Sequence, residues 1–343
     1  MTLTKSIGSK WKEARKQGKK IALVIRFGAL GDSIMLSPIF DELKDQGYFT
    51  LFYTTWRGAM VFKHDNRIDE MVENNDEIPV DPLFAHWKDI RETIKPEYYR
   101  NFTSSIEENV AIHPSQPLYI YPKRERGLRC NANYYRVTKD WAGLTSASLK
   151  PSLQFTEKEH EICKGLIQKD KFNIQWNLSG SGNNKVYPWT EFVINSLLEE
   201  YPDIYILQTG EEKCQMLESH RDRVINLSGK TDVRISFLLT KYVDLVISPD
   251  TGVLHASGCF DTPKIGLLGH STKENITKYF DNDYSIESKC PCAPCFYLIY
   301  DPRVQCPLDP VSGASWCMAS IEPELLFDRI KQVKEKYDKE KVN

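Results

Sequence analysis

The chain repeats one short pattern, a buried apolar strand that ends in a polar loop and continues into a helix. The pattern is clearest at residues 21–25, followed by the loop 26–33, and at residues 242–247, followed by the loop 248–255. Further strands are predicted at residues 48–53, 172–177 and 204–208, with helices beginning near Ser37 and spanning 190–201. Alternating strands and helices predict parallel sheets that are covered by helices on both faces. Ligands bind such sheets at the carboxyl ends of the strands, where these loops lie.

A length of 343 residues is enough for two domains with complete cores. A Ser/Thr-containing stretch at 144–159 is predicted to link them, which gives a first domain over 1–150 and a second over 151–343 with a C-terminal helix. No apolar run approaches the length of a membrane span, and the first residues lack an apolar leader. We therefore expect a cytoplasmic protein without a transmembrane segment.

The net charge of −2 gives no overall field that would attract nucleic acid. Basic residues are nevertheless concentrated in two places, residues 5–20 and residues 123–129. These segments are either solvated surfaces or contacts for an anionic acceptor or a membrane surface.

The loop at 248–255 has the composition of an anion site. Asp250 and Thr251 are favourable helix caps, and Gly252 allows the backbone to approach a ligand closely. The first N–H groups of the helix would then face a phosphate. His255 is expected to orient a sugar or phosphate, or to bond a neighbouring loop. A turn that binds no ligand is the alternative.

The loop after residues 172–177 offers a second set of donors for an anion. Ser179, Gly180 and Ser181 supply hydroxyl and backbone groups, and Lys185 supplies a full positive charge. Both loops follow strands of the second domain, so we expect them to hold one diphosphate, although this loop too could be a turn without a ligand.

The first loop carries the candidate base. Asp32 follows the first strand, and a carboxylate there could accept the proton of an acceptor hydroxyl. Alternatively, Asp32 only caps the helix that it begins. Glu107 and Glu108 are the reserve candidates.

Three sets of residues resemble glycosyltransferase family 9, the heptosyltransferases and their relatives. They are Arg26, Ala29, Gly31, Asp32 and Pro38; Ser248, Pro249, Asp250, Thr251, Gly252 and His255; and Pro263, Gly266, Leu267, Leu268, Gly269 and Thr272. The resemblance implies the GT-B fold, two facing Rossmann-like domains with parallel sheets and a cleft between them. It also implies an inverting transfer without a catalytic metal, with Asp32 as base and with the acceptor on the N-terminal domain, on the side of Arg26 and Glu107.

Under this interpretation the donor is a nucleoside diphosphate sugar, with a heptose or a related sugar. The acceptor is anionic and could be a lipopolysaccharide core, a protein, or DNA with hydroxymethylated bases as in phages. A catalytically inactive sugar-nucleotide binder or scaffold remains open. A dinucleotide-dependent enzyme is disfavoured, because the first loop lacks the full glycine pattern and no acidic residue ends the second strand.

Five of the nine cysteines fall between residues 290 and 317. From Cys292 onward the spacing suits four thiolate ligands around a structural Zn or Fe ion, and the predicted ligands are Cys292, Cys295, Cys306 and Cys317. Such cysteine-rich segments resemble those of family 9 members that modify autotransporter proteins. Disulfides or free thiols are the alternatives.

Overall fold

The computed structural model describes residues 9–73, 90–102, 131–296 and 306–342, which form two compact α/β units. The first unit contains the described residues up to Phe155 except 131–133, which belong with the second unit; the second continues from Thr156. Every strand pairing in both sheets is parallel. The predicted α/β class with parallel sheets is confirmed.

The first unit is built on a four-stranded sheet in the order β3-β2-β1-β4. Its elements are α1 (Lys10–Lys16), β1 (Ile21–Arg26), α2 (Leu30–Ile34), α3 (Ser37–Asp45), β2 (Phe49–Thr54), α4 (Trp56–Val61), β3 (Glu70–Glu73), β4 (Tyr98–Asn101) and α5 (Tyr134–Ala142). The central strand β1 is completely buried, as expected for a strand covered on both faces. Its carboxyl end delivers the loop that leads to Asp32.

The second unit is built on a six-stranded sheet in the order β10-β9-β8-β5-β6-β7. Its elements are α6 (Glu157–Leu166), β5 (Phe172–Asn177), α7 (Thr190–Glu200), β6 (Ile204–Thr209), β7 (Val224–Asn226), α8 (Val233–Leu239), β8 (Leu245–Pro249), α9 (Gly252–Ser257), β9 (Lys264–Leu268), β10 (Ile286–Glu287), α10 (Trp316–Ala319) and α11 (Pro323–Val342). Because β5, β8 and β9 are neighbours, their three carboxyl-end loops lie side by side.

Strand β3 was not predicted, because the sequence Glu70–Glu73 is short and acidic and lacks the apolar pattern of a buried strand. It forms the edge of the sheet. At the edge, only one side of the strand pairs, so polar residues are tolerated. The predicted strands at residues 21–25, 48–53, 172–177 and 204–208 are all present, as is the helix that begins at Ser37.

The basic N-terminal segment is partly described. In α1, Trp11 and Ala14 are buried against the first unit's core, whereas its lysines are exposed. Glu107, Glu108 and the basic residues 123–129 lie outside the described residues. Among the helices that are described, none is both long enough and apolar enough to cross a membrane.

Candidate functional site

Arg26 and Asp32 form a partly buried ion pair at the carboxyl end of β1. Arg26 Nη2 lies 2.7 Å from Asp32 Oδ1, and the Arg26 side chain is only 3% exposed. Arg26 Nη1 also donates to the carbonyl of Phe102, and Thr54 Oγ1 donates to the carbonyl of Arg26 at 2.9 Å. The Thr54 bond holds the backbone of Arg26, and the Phe102 carbonyl holds its guanidinium, which in turn orients one oxygen of the carboxylate.

The second oxygen of Asp32 is held by its own loop. The Ala29 N–H donates to Asp32 Oδ2 at 2.9 Å, which is the capping geometry that the sequence offered as the alternative to a catalytic role. A side chain at Gly28 would place its Cβ 2.7 Å from the same oxygen, so the close approach requires glycine. Asp32 therefore caps α2 and pairs with Arg26 while its side chain stays 19% exposed.

In the second unit, Asp250 is the centre of a polar cluster. It follows β8, and its carboxylate faces two imidazoles. His255 Nε2, on α9, lies 3.4 Å from Oδ1, and His270 Nε2, just beyond β9, lies 3.2 Å from Oδ2. Because the two histidines come from different elements, Asp250 ties the end of β8 to the end of β9.

Lys185 joins this cluster from the loop that follows β5. Its Nζ donates to the Asp250 carbonyl, and the side chain is buried. A Cβ at position 180 would lie 2.9 Å from Lys185 Cδ and 2.8 Å from Thr251 Cγ2, so Gly180 is needed for the two loops to pack. The loops predicted separately from the sequence are thus brought together by the structure.

Hydroxyl and amide groups extend the cluster. Asn177 Nδ2, at the end of β5, donates to the Ser179 carbonyl at 2.8 Å and to Thr251 Oγ1 at 3.2 Å. Ser248 Oγ lies 2.9 Å from the same Thr251 oxygen. Ser181, in contrast, is exposed. The network holds the ends of β5 and β8 in a fixed relationship.

The capping role predicted for Asp250 is wrong, because its carboxylate is turned toward the histidines. Thr251 does occupy the N-cap of α9, but its side chain makes no capping hydrogen bond within the described part of the chain. Helix α9, which begins at Gly252, has only six residues. Fixed charges and imidazoles, rather than a long helix dipole, therefore dominate the electrostatics here.

Asp250 is ionised despite its burial. Burial alone would raise its pKa, but the positive charge of Lys185 and the hydrogen bonds from His255 and His270 hold the pKa of this carboxyl well below its usual range. The loops of this unit therefore gather one carboxylate, one ammonium and two imidazoles, which suits binding of an anion beside a buried acid.

Sequence reasoning missed His270. The residue falls inside the third set of motif residues, between Gly269 and Thr272, but it was not proposed for the site. Its position directly after β9 was the available signal. That signal becomes useful only when the sheet order shows that β9 is the neighbour of β8.

The cysteine-rich segment brings thiols together in pairs. Cys290 Sγ lies 3.2 Å from Cys292 Sγ, and the Cys306 and Cys317 thiols are hydrogen-bonded to each other. The latter bond lowers the pKa of Cys306 and raises that of Cys317. Cys290, which was left out of the predicted ligand set, therefore belongs to the group. Among the residues that the structure describes, no three His, Cys, Asp or Glu side chains are arranged to hold a metal ion.

The model of glycosyltransferase family 9 (heptosyltransferase) matches residues 126–299, about half of the chain. Lipopolysaccharide heptosyltransferase 1 of Campylobacter coli is 25% identical over 137 residues, and this match spans 35% of the chain and 40% of that relative. The match thus covers less than half of the relative's length.

Two solved structures share the fold over nearly the whole chain. Escherichia coli ADP-heptose lipopolysaccharide heptosyltransferase II gives a TM-score of 0.62 at 15% identity, covering 93% of this chain and 99% of that chain. The iron-containing dodecameric heptosyltransferase TibC of enterotoxigenic E. coli, in complex with ADP-D-beta-D-heptose, gives 0.62 at 9% identity, covering 93% and 76%. At these identities the likeness establishes the GT-B fold.

Proposed function

This chain belongs to glycosyltransferase family 9, and we propose that it transfers a heptose or a related sugar from a nucleoside diphosphate to an acceptor hydroxyl with inversion. The observation that carries the proposal is the convergence of Lys185, His255 and His270 on Asp250 at the carboxyl ends of neighbouring strands. This edge of a parallel sheet is the place where α/β proteins bind nucleotides.

The cluster suits a diphosphate leaving group. As the bond between the anomeric carbon and the phosphate oxygen breaks, the electron pair leaves with the diphosphate, and a nearby fixed positive charge stabilises it. Lys185 supplies that charge from a buried position. Asp250 keeps the lysine and the two imidazoles oriented, so their arrangement precedes donor binding. The TibC structure contains ADP-heptose, which supports an ADP-linked donor.

Asp32 is the proposed base. The acceptor oxygen attacks the anomeric carbon from the face opposite the diphosphate while its proton passes to the Asp32 carboxylate. Both oxygens of this carboxylate already accept one hydrogen bond, from Arg26 and from the Ala29 N–H. A carboxylate offers about four acceptor positions, so these bonds orient it and still leave capacity for a hydroxyl. Glu107 remains the reserve candidate.

The acceptor is proposed to be anionic, and the lipopolysaccharide core is the first candidate because the Campylobacter coli relative carries that name. Arg26 is on the acceptor side, although its guanidinium is occupied by Asp32 and the Phe102 carbonyl. A protein hydroxyl and hydroxymethylated DNA are the alternatives, and DNA binding would be recognisable by its steep dependence on salt.

The cysteine-rich segment is proposed to bind a structural Zn or Fe ion. Soft thiol donors suit both metals. Burial, together with the nearby thiols of Cys290, Cys317 and Cys295, raises the pKa of Cys292 to about 12. The described thiols are arranged as pairs and not as a ready metal site, so binding would require them to rearrange. The iron-containing TibC supports the proposal. The metal would order the segment and would take no part in transfer.

The experiment that tests the function has two stages. Titration of the purified protein with ADP and ADP-heptose should raise its melting temperature, since a ligand at a hundredfold excess over its Kd stabilises by about 2.7 kcal/mol. Acceptors from the three classes are then added with ADP-heptose, and ADP release and product mass are measured. Binding without transfer to any of these acceptors would favour the inactive sugar-nucleotide binder, and the absence of binding to either nucleotide would contradict the proposal.

A further inference from the structure

The cysteine segment, defined as residues 288–296 and 306–321, is attached to the strand end that carries His270. The Ser288 N–H donates to the Leu268 carbonyl at 2.9 Å, and the Phe296 N–H donates to the His270 carbonyl at 2.8 Å. A Cβ at Gly269 would lie 2.8 Å from Met318 Sδ and 3.0 Å from Cys317 Sγ, so these two side chains pack directly against this backbone. The N-terminal part of the segment thus fixes the backbone of a residue that bonds Asp250.

The C-terminal part of the same segment is attached to the loop of Lys185. The Tyr187 hydroxyl donates to the Ile321 carbonyl at 3.0 Å, and Trp189 Nε1 donates to the Ala319 carbonyl at 2.9 Å. Tyr187 is buried and lies two residues after Lys185. The segment therefore contacts both loops whose side chains meet at Asp250.

The two parts of the segment are joined to each other. Ser288 Oγ lies 2.8 Å from Ser320 Oγ. The thiols add further links, because Cys292 interacts with Cys290 of its own part and with Cys317 of the other part. A displacement of the thiol cluster would consequently be transmitted to both loops.

We propose that the cysteine segment is a positioning element for the donor site, which holds Lys185 and His270 at the separation that Asp250 requires. His270 is a positioning residue in this arrangement, since it acts through Asp250. The inference rests on the proposed function, because it takes the occupant of the site to be a nucleoside diphosphate. It follows that loosening the thiol cluster lowers the affinity for ADP, although none of the side chains that contact Asp250 in the ion pairs and hydrogen bonds described above is a cysteine.

The test is a double-mutant cycle on the Kd for ADP, measured by calorimetry with the full chain. Cys317→Ser and His270→Leu should each weaken binding about fivefold or more, and the double variant should be no weaker than the worse single variant, because both changes act on one coupled unit. Cys163→Ser is the matched control, since Cys163 is also a buried thiol but bonds the Ile235 carbonyl on α8. It should bind ADP as the wild type does.

His270→Gln distinguishes the loss of the hydrogen bond to Asp250 from a change in the size and shape of the side chain. It retains an N–H donor for Asp250, so it should restore most of the ADP affinity that His270→Leu loses and should remain sensitive to Cys317→Ser. In turnover assays, His270→Leu and Cys317→Ser should raise the KM for the donor more than they lower kcat. Wild-type affinity in Cys317→Ser, or effects that multiply in the double variant, would overturn the inference.

A second pair of variants covers the case in which Cys317→Ser does not fold. Ser288→Ala with Ser320→Ala removes the hydroxyl link between the two parts and leaves every cysteine unmutated. Weakening of ADP binding by more than about twofold supports the positioning role, and unchanged affinity overturns it. If the wild type itself fails to bind ADP, the proposed function fails; if ADP binds but no segment variant changes its affinity, only this inference fails.

Discussion

His270 donates a hydrogen bond from Nε2 to the Oδ2 atom of Asp250, 3.2 Å away, so a residue beyond β9 orients the acid that follows β8. The other carboxylate oxygen faces His255 at 3.4 Å. Both carboxylate oxygens of Asp250 are engaged and the side chain is buried, so the acid is held in one orientation. An arrangement of this kind is organised before the ligand arrives, which reduces the cost of binding a charged leaving group.

Lys185→Ala should weaken ADP binding about tenfold or more, the scale expected when a charge-assisted hydrogen bond to a phosphate is lost. The same change removes the donor to the Asp250 carbonyl, so a modest fall in melting temperature is also expected. Calorimetry with ADP measures the affinity. Lys213→Ala is the control, because Lys213 is an exposed lysine of the same unit that forms a surface ion pair with Glu211. Equal affinity in Lys185→Ala and the wild type would place the diphosphate elsewhere.

Asp32→Asn should lower turnover about 100-fold or more while the Kd for ADP stays within about twofold of the wild type, because the base is lost and the donor site is not touched. Initial rates of ADP release with acceptor present, together with calorimetry, give both quantities. Asp140→Asn is a suitable control, since Asp140 is an exposed acid paired with Arg136 in the same unit. Near-normal turnover in purified Asp32→Asn would move the role to Glu107 or to the substrate itself.

Much of the fold follows from local sequence. The strand that ends at Arg26 and the strand that ends at Pro249 are apolar runs bounded by polar turns, and such runs can occupy only the buried centre of a sheet. The loops after them could therefore be located, and Asp32 and Asp250 selected, without knowledge of the sheet order.

What local sequence could not provide was the neighbour relationship between distant loops. His270 becomes a partner of Asp250 only because β9 lies beside β8. The same reason explains the error in the capping role of Asp250. A carboxylate at a helix start ordinarily bonds local N–H groups, but here two imidazoles compete for it, one of them from another strand.

Protein purified without affinity metals should contain about one Zn or Fe per chain, and Cys306→Ser should lose it, if the thiols form the proposed structural site. Elemental analysis gives the metal content. A chelator should then lower the melting temperature of the wild type and leave that of Cys306→Ser unchanged, because metal binding energy is also folding energy for the segment. Metal-free protein whose thiols all titrate, with melting unaffected by chelator, would show that the cysteines act as free thiols.

Glu159 provides a pH-dependent test of the fold that is independent of the donor site. Arg234 Nε lies 2.6 Å from Glu159 Oε1, and the Thr156 N–H donates to Oε2 at 2.7 Å at the start of α6. Burial alone would raise the pKa of Glu159, but the hydrogen bonds from Arg234 and Thr156 lower it to about 2. In the unfolded chain a glutamate has a pKa of about 4.3, so the folded protein gains stability from this group above pH ~4.3 and loses it as the pH falls toward 2.

Glu159→Gln should accordingly cost about 1 to 3 kcal/mol at pH 7, and its difference from the wild type should shrink as the pH is lowered to about 3. Melting temperatures of both proteins across this range give the comparison. Glu340→Gln is the control, because Glu340 is exposed near the end of α11, 4.0 Å from Lys336, and its replacement should change little at any pH. If the stability lost in Glu159→Gln is the same at pH 7 and pH 3, the amide disturbs packing. The ion pair with Arg234 would then not stabilise the fold through its charge.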